Sequence, residues 1–221
     1  MHLEFLGLSG VGKTEVINKC LHNKESTLLN RIDLVKLPKS KFLWASISAL
    51  FLLFRISIIS LRSAKYMATS KAGIKLLLSL GARKSSINRL NKKNNTLLID
   101  SGVLMPLIES VMVDDLLWDD NLIKSILSVV PLPDVVIYVH VDEDISYKRF
   151  LNRGHTKYSY SGSMDGVYIN RFKFSNANKC LFFVMGYLKT KLVRTIYYKN
   201  ERQIDCKMLE SKIATSIEVK Y

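Results

Sequence analysis

Gly7-Leu8-Ser9-Gly10-Val11-Gly12-Lys13-Thr14 follows directly on the apolar Leu3-Glu4-Phe5-Leu6 and leads into Glu15-Val16-Ile17-Asn18-Lys19-Cys20-Leu21. The eight residues carry the spacing G-x-x-x-x-G-K-[ST]. They stand where that spacing has physical meaning, after a short buried strand and before a helix. Glycines let the backbone wrap closely around a phosphate and aim N–H groups at it. The helix behind them adds the partial positive charge of its N-terminus. The residues expected to hold a nucleotide are therefore Gly7, Ser9, Gly10, Val11, Gly12, Lys13 and Thr14. In this pattern Lys13 bridges the β and γ phosphates, and Thr14 offers its hydroxyl to Mg²⁺.

Further along, apolar runs and turn residues alternate. Ile32 to Pro38 is a candidate strand ended by proline. Ser63 to Leu80 reads as a helix with Gly81 as its stop signal. Arg83 to Asn95 is a polar, basic helix end plus loop. Thr96-Leu97-Leu98-Ile99-Asp100 is a buried parallel strand ending in a carboxylate, with Ser101-Gly102 as the turn after it. Val103 to Met112 and Asn121 to Val130 are helical, and Asp114, Asp115, Asp119 and Asp120 between them read as a solvated surface. Val135 to Val141 is the clearest strand, and His140 in it is expected to be structural. A helix through Tyr147 to Leu151, another over Tyr168 to Lys189, a strand at Leu192 to Tyr198 and a closing helix at Lys207 to Val219 complete the order. Strands alternating with helices in this way predict an α/β fold, a mostly parallel central sheet flanked by helices in three layers. Loops at the carboxyl ends of such strands bind ligands, so Asp100 would face the nucleotide if its strand neighbours the first.

The 221 residues are enough for one domain with a sizeable core. No low-complexity linker or internal repeat interrupts them. Cys20, Cys180 and Cys206 are widely spaced, without a Cys/His cluster, which argues against zinc and for a reducing cytoplasm. The N-terminus reads as the start of the fold, with no secretory leader expected. Charge is the second informative feature. The formal net charge is +14, and no Asp or Glu occurs between Asp33 and Asp100, a stretch that holds 13 Lys and Arg residues. So one-sided a block predicts an anionic partner: a nucleotide, a nucleic acid or an anionic membrane surface. Its basic residues are interleaved with aliphatic rather than aromatic side chains, which argues against a single-strand nucleic-acid groove.

Within that block, Phe42 to Leu61 is apolar except for several serines and Arg55. Three placements fit: a buried helix of the domain, a helix lying in a membrane interface, and a membrane span. The buried helix is the expected one. A span would put the phosphate loop and later strands of the same sheet on opposite sides of a bilayer.

The chain resembles the P-loop kinases of the thymidylate kinase and deoxynucleoside kinase group. Four pieces carry the likeness: Gly7 to Thr14; Leu97-Leu98-Ile99-Asp100-Ser101-Gly102; Pro133-Asp134-Val135-Val136-Ile137-Tyr138; and Arg149-Phe150-Leu151-Asn152-Arg153-Gly154. They cover the first 35 or so residues and roughly 96–221. The resemblance implies a P-loop NTPase fold with an arginine-bearing lid, here at 145–175, in a single domain over 1–221, with 36–95 as a basic, apolar helical region on the acceptor side. It implies ATP and Mg²⁺ as cofactors and a small-molecule phosphate acceptor. Lys13, Asp100, Arg149 and Arg153 are the implied catalytic residues, and Thr14 and Asp100 the implied metal ligands. Arg149 and Arg153 are one helical turn apart, so both could face one anion. The sequence departs from the group at Ser101, where Glu or Arg usually follows the strand-end Asp.

On these grounds the expected activity is transfer of the γ-phosphoryl group of ATP to a nucleotide or nucleoside. A sugar or lipid-linked glycan at a membrane surface is an alternative acceptor. A nucleotide-dependent switch is the alternative from another class, although the guanine-reading Asn-Lys-x-Asp motif of such switches is missing from the chain. A homodimer and a peripheral place on the inner face of the membrane are open assembly states, and nucleic acid is not an expected partner.

Overall fold

Strand β1 (His2–Leu6) is buried along its whole length, which requires cover on both faces of the sheet it belongs to. In the computed structural model, residues 1–21, 27–29, 39–91, 97–113, 119–152, 157–158, 167–168, 170–200 and 206–218 are described. β1 runs into the glycine loop and helix α1 (Lys13–Leu21), followed by β2 (Thr27–Leu29). Three helices come next: α2 (Lys39–Ile59), α3 (Leu61–Thr69) and α4 (Lys71–Asn91). Then follow β3 (Leu97–Ile99), α5 (Met105–Val113), α6 (Asp120–Leu127), β4 (Val135–His140) and α7 (Glu143–Asn152). The short strands β5 (Lys157–Tyr158) and β6 (Val167–Tyr168) precede α8 (Arg171–Thr190), β7 (Arg194–Lys199) and α9 (Cys206–Glu218).

The main sheet has five parallel strands in the order β2-β3-β1-β4-β7. β1 therefore lies between β3 and β4, with Glu4 level with Ile99 on one side and with Val136 on the other. This is the expected parallel α/β sheet, and it puts Asp100 on the strand next to the phosphate loop. β5 and β6 form a separate antiparallel pair inside the stretch expected to be a lid.

Local chemistry explains most helix boundaries. Ser60 accepts a hydrogen bond from Ser63 N–H at 3.2 Å and starts α3. The Ser70 hydroxyl accepts from Gly73 N–H at 2.9 Å and starts α4. Asp119 caps α6 through Asn121 and Leu122, so this acidic residue has a structural task beyond solvation. Asn170 caps α8 through Lys173. Leu192, at φ 56°, makes the turn from α8 into β7.

The structure corrects three expectations. Ser63 to Leu80 is not one helix, because α3 ends at Thr69 and Ser70 starts α4. Gly81 is no stop signal: it lies inside α4, which runs on to Asn91 as the helix end expected after Arg83. A methyl group at Gly81 would sit 2.8 Å from the Ala49 backbone nitrogen and also collide with the Ala45 carbonyl. Its job is thus close packing of α4 on α2. The apolar segment 42–61 is not a buried helix on all sides, since only 22% of Phe42–Ile59 is buried. Ala45, Ala49, Leu52 and Ile56 form the one packed stripe, at helical spacing. The second strand is seen at Thr27–Leu29; the candidate strand at 32–38 lies outside the described residues.

Candidate functional site

The loop between β1 and α1 has the backbone that its glycines permit. Gly10 and Gly12 sit at φ +94° and +86°, a region that side-chain-bearing residues rarely occupy. Space is as restrictive as torsion. A methyl group on Gly10 would run into the Ser146 carbonyl of α7, and one on Gly12 into the amide of Asn200. The backbone of Val139, at the end of β4, closes in on Gly7 in the same way.

Hydrogen bonds fix this cradle from several parts of the chain. The Ser146 hydroxyl donates to the Ser9 carbonyl at 2.8 Å. The Asn200 amide donates to the Val11 carbonyl at 2.6 Å, and Asn200 is itself held by its backbone N–H on the His140 carbonyl at 2.9 Å. Val16 N–H reaches back to the Gly12 carbonyl at 3.0 Å, closing the first turn of α1. The Lys13 ammonium is folded onto the loop, donating to the carbonyls of Gly7 at 2.6 Å and Leu8 at 3.1 Å. Thr14 lies on the first turn of α1 and is exposed.

Asp100 follows β3 immediately, at the carboxyl edge beside the loop. The turn it opens is clamped from two sides. From β1, the fully buried Glu4 carboxylate accepts from Leu104 N–H at 2.9 Å and Val103 N–H at 3.2 Å. It thereby serves the N-terminal side of α5. The Glu4 carboxylate occupies the space where a Gly102 side chain would be. From α4, the buried Arg83 donates its Nε–H to the Ser101 carbonyl at 3.2 Å and also binds Ser79. Burial pushes the Glu4 carboxyl up to about 7, against the pull of the Leu104 N–H and the Arg83 charge. Burial likewise pushes the neighbouring His2 down to about 4. His140, half-buried and stacked on Tyr138, is lowered by burial and by Lys199.

Arg149 lies on α7, half-buried, one residue from the Phe150 N–H that packs against Gly10. Arg153 lies outside the described residues. Gly7, Ser9, Gly10, Val11, Gly12, Lys13 and Thr14 therefore form one loop, with Asp100 on the adjacent strand and Arg149 on the helix that braces it. Sequence reasoning missed Glu4, Arg83, Ser146 and Asn200. Glu4 had a visible signal, a lone charge inside an apolar strand. Arg83 had none, since it opens the basic pair Arg83-Lys84 at the start of a polar stretch. Ser146 and Asn200 had none. A groove of about 1080 Å³ lined by residues such as Ile59, Arg62, Tyr66, Leu122, Phe183 and Tyr187 includes no residue of the phosphate loop.

No protein-family model matches the chain, and no curated protein matches it by sequence. Solved structures do. The chain is similar to a deoxyadenosine kinase from M. mycoides with bound dATP, at TM-score 0.59 and 15% identity over 97% of this chain and 99% of that one. It is also similar to that kinase with the products dCMP and a flexible dCDP bound, at TM-score 0.54 and 16% identity over 99% and 100% of the two chains. The chain thus shares its fold with that deoxyadenosine kinase.

Proposed function

We propose that this chain is an ATP-dependent phosphotransferase that moves the γ-phosphoryl group to a nucleoside or nucleotide. One observation carries the proposal: a braced glycine cradle with Lys13 at its end, beside a strand that delivers Asp100 to the same edge of the sheet. The likeness in fold to a deoxynucleoside kinase supports a nucleoside-type acceptor.

The cradle suits a polyphosphate because α1 begins there, with the partial positive charge of a helix N-terminus. Lys13 would exchange the carbonyls of Gly7 and Leu8 for β and γ phosphate oxygens. Thr14 and Asp100 are oxygen donors, which suit Mg²⁺ when phosphate oxygens and water complete its shell. When bound, the metal ion would neutralise charge on the phosphates. Asp100 would take the acceptor proton or hold the metal's water, kept in place by the Glu4 and Arg83 clamps on its turn. Arg149, and Arg153 beyond it, would offset charge on the group in transfer. Such work on ATP belongs in the cytoplasm.

The test is incubation of the protein with ATP–Mg²⁺ and panels of nucleosides, nucleotides and sugars, with products read by mass. The expected result is a nucleoside or nucleotide gaining one phosphoryl group, and none with Lys13→Ala, whose thermal midpoint should be unchanged. Release of free phosphate without a phosphorylated acceptor would replace this reading with a nucleotide switch. Phosphorylation of a sugar alone would overturn the acceptor class.

A further inference from the structure

Helix α2 has two faces of opposite character. Ala45, Ala49, Leu52 and Ile56 pack inward, and α4 approaches so closely there that only Gly81 fits. On the far side, Leu43, Ile47, Leu50, Phe54 and Ile58 recur at the same helical spacing, and these five are between 47% and 71% exposed. Trp44 and Phe51 widen this ridge. A continuous apolar ridge of this length is well beyond the scattered apolar side chains of an ordinary surface, and it marks a docking face.

Charge identifies what docks. Arg55 projects into solvent on the same helix, and the Lys84 ammonium lies 4.5 Å from the centre of the Phe51 ring, so both cations border the ridge. Arg62 and Lys65 are exposed on α3 just beyond it. No acidic residue occurs between Asp33 and Asp100, and Asp119, which lines a groove together with Arg62, is engaged in capping α6. A second copy of this chain meeting the ridge through a two-fold axis would set these cations against their own equivalents. A membrane span is excluded by the packed stripe, which ties α2 to α4 and through it to the sheet. We propose that α2 docks the protein flat on an anionic lipid bilayer, with the apolar ridge in the interface and the flanking cations on the headgroups. The proposal does not depend on the kinase reading.

Flotation with vesicles tests it. The protein should float with phosphatidylglycerol–phosphatidylethanolamine vesicles at low salt. Capture should be roughly tenfold weaker on phosphatidylcholine alone and in about 0.5 M salt. Leu50→Glu combined with Phe54→Glu should abolish flotation, and Arg55→Ser with Lys84→Ser should weaken it on anionic vesicles only. Leu50, Phe54 and Arg55 are exposed and Lys84 is half-buried, and an unchanged thermal midpoint checks that each variant is folded. With Trp118 replaced by Phe, Trp44 is the one remaining tryptophan. Its emission should shift to the blue on anionic vesicles. No flotation of the unaltered protein, or flotation unaffected by the glutamate pair, overturns the proposal. So does a dimer, measured by light scattering, that the glutamate pair dissolves while vesicle binding is absent; the ridge would then belong to a second copy.

Discussion

Gly10 is constrained twice, by a φ of +94° and by the Ser146 carbonyl in the space a methyl would need. Gly10→Ala should destabilise the protein by about 1–3 kcal/mol and weaken ATP binding together with it, measured by thermal unfolding and titration. Asp100→Asn should behave differently, lowering turnover at saturating ATP by roughly 10²–10⁴ if Asp100 takes the acceptor proton, with ATP affinity little changed. Glu4 governs pH dependence. Its folded pKa is raised from 4.5 to about 7, so the stability it contributes is present below pH 4.5 and lost as pH rises through 7. The difference is at most about 3 kcal/mol. His2, lowered from 6.5 to about 4, contributes with the opposite sign: stability present above pH 6.5 and lost as pH falls through 4. Unfolding measured across this range should show Glu4→Gln gaining on the unaltered protein from pH 4.5 to 7. Lys13, Thr14 and Asp100 were legible in the sequence because local spacing and strand ends reveal them. The partners of Glu4 were not, since Val103 and Leu104 are 99 and 100 positions away.

The strands β1, β3 and β4 were legible as elements because each is a short apolar run bounded by turn residues. The helices α2 to α4 were less so. Glycine breaks helices by its own propensity, yet it also permits two helices to touch, and only tertiary structure tells which use applies at Gly81. Gly81→Val should therefore do more harm than the loss of a flexible residue would predict. It should force α2 and α4 apart at a cost of about 1–3 kcal/mol, read as a lower thermal midpoint. Its effect on ATP binding should be smaller than that of Gly10→Ala, because the α2–α4 seam is remote in the chain from the phosphate loop. Apolar periodicity in α2 was equally ambiguous. A helix apolar all round is expected in a core, and here one stripe alone is packed.

Strand order is the whole-molecule property on which the site depends. β1 in the middle of β2-β3-β1-β4-β7 places the carboxyl ends of β3 and β4 on either side of the glycine loop. The alternation of strands and helices predicted such a sheet, but not which strand neighbours which, because parallel pairing is made between distant segments. Asn200, just past the outer strand β7, illustrates this. Asn200→Ala should leave the Val11 carbonyl buried without its donor, at a cost of about 1–3 kcal/mol. The expected signature is a raised KM for ATP with a smaller change in kcat, measured by steady-state kinetics. That hydrogen bond joins residues 189 positions apart, and this bears on how the protein is born. A ribosome translates Val11 of the glycine motif 189 residues before the side chain that braces it. A nascent polypeptide halted ahead of β7 thus carries the motif with its Ser146 brace and without its Asn200 brace.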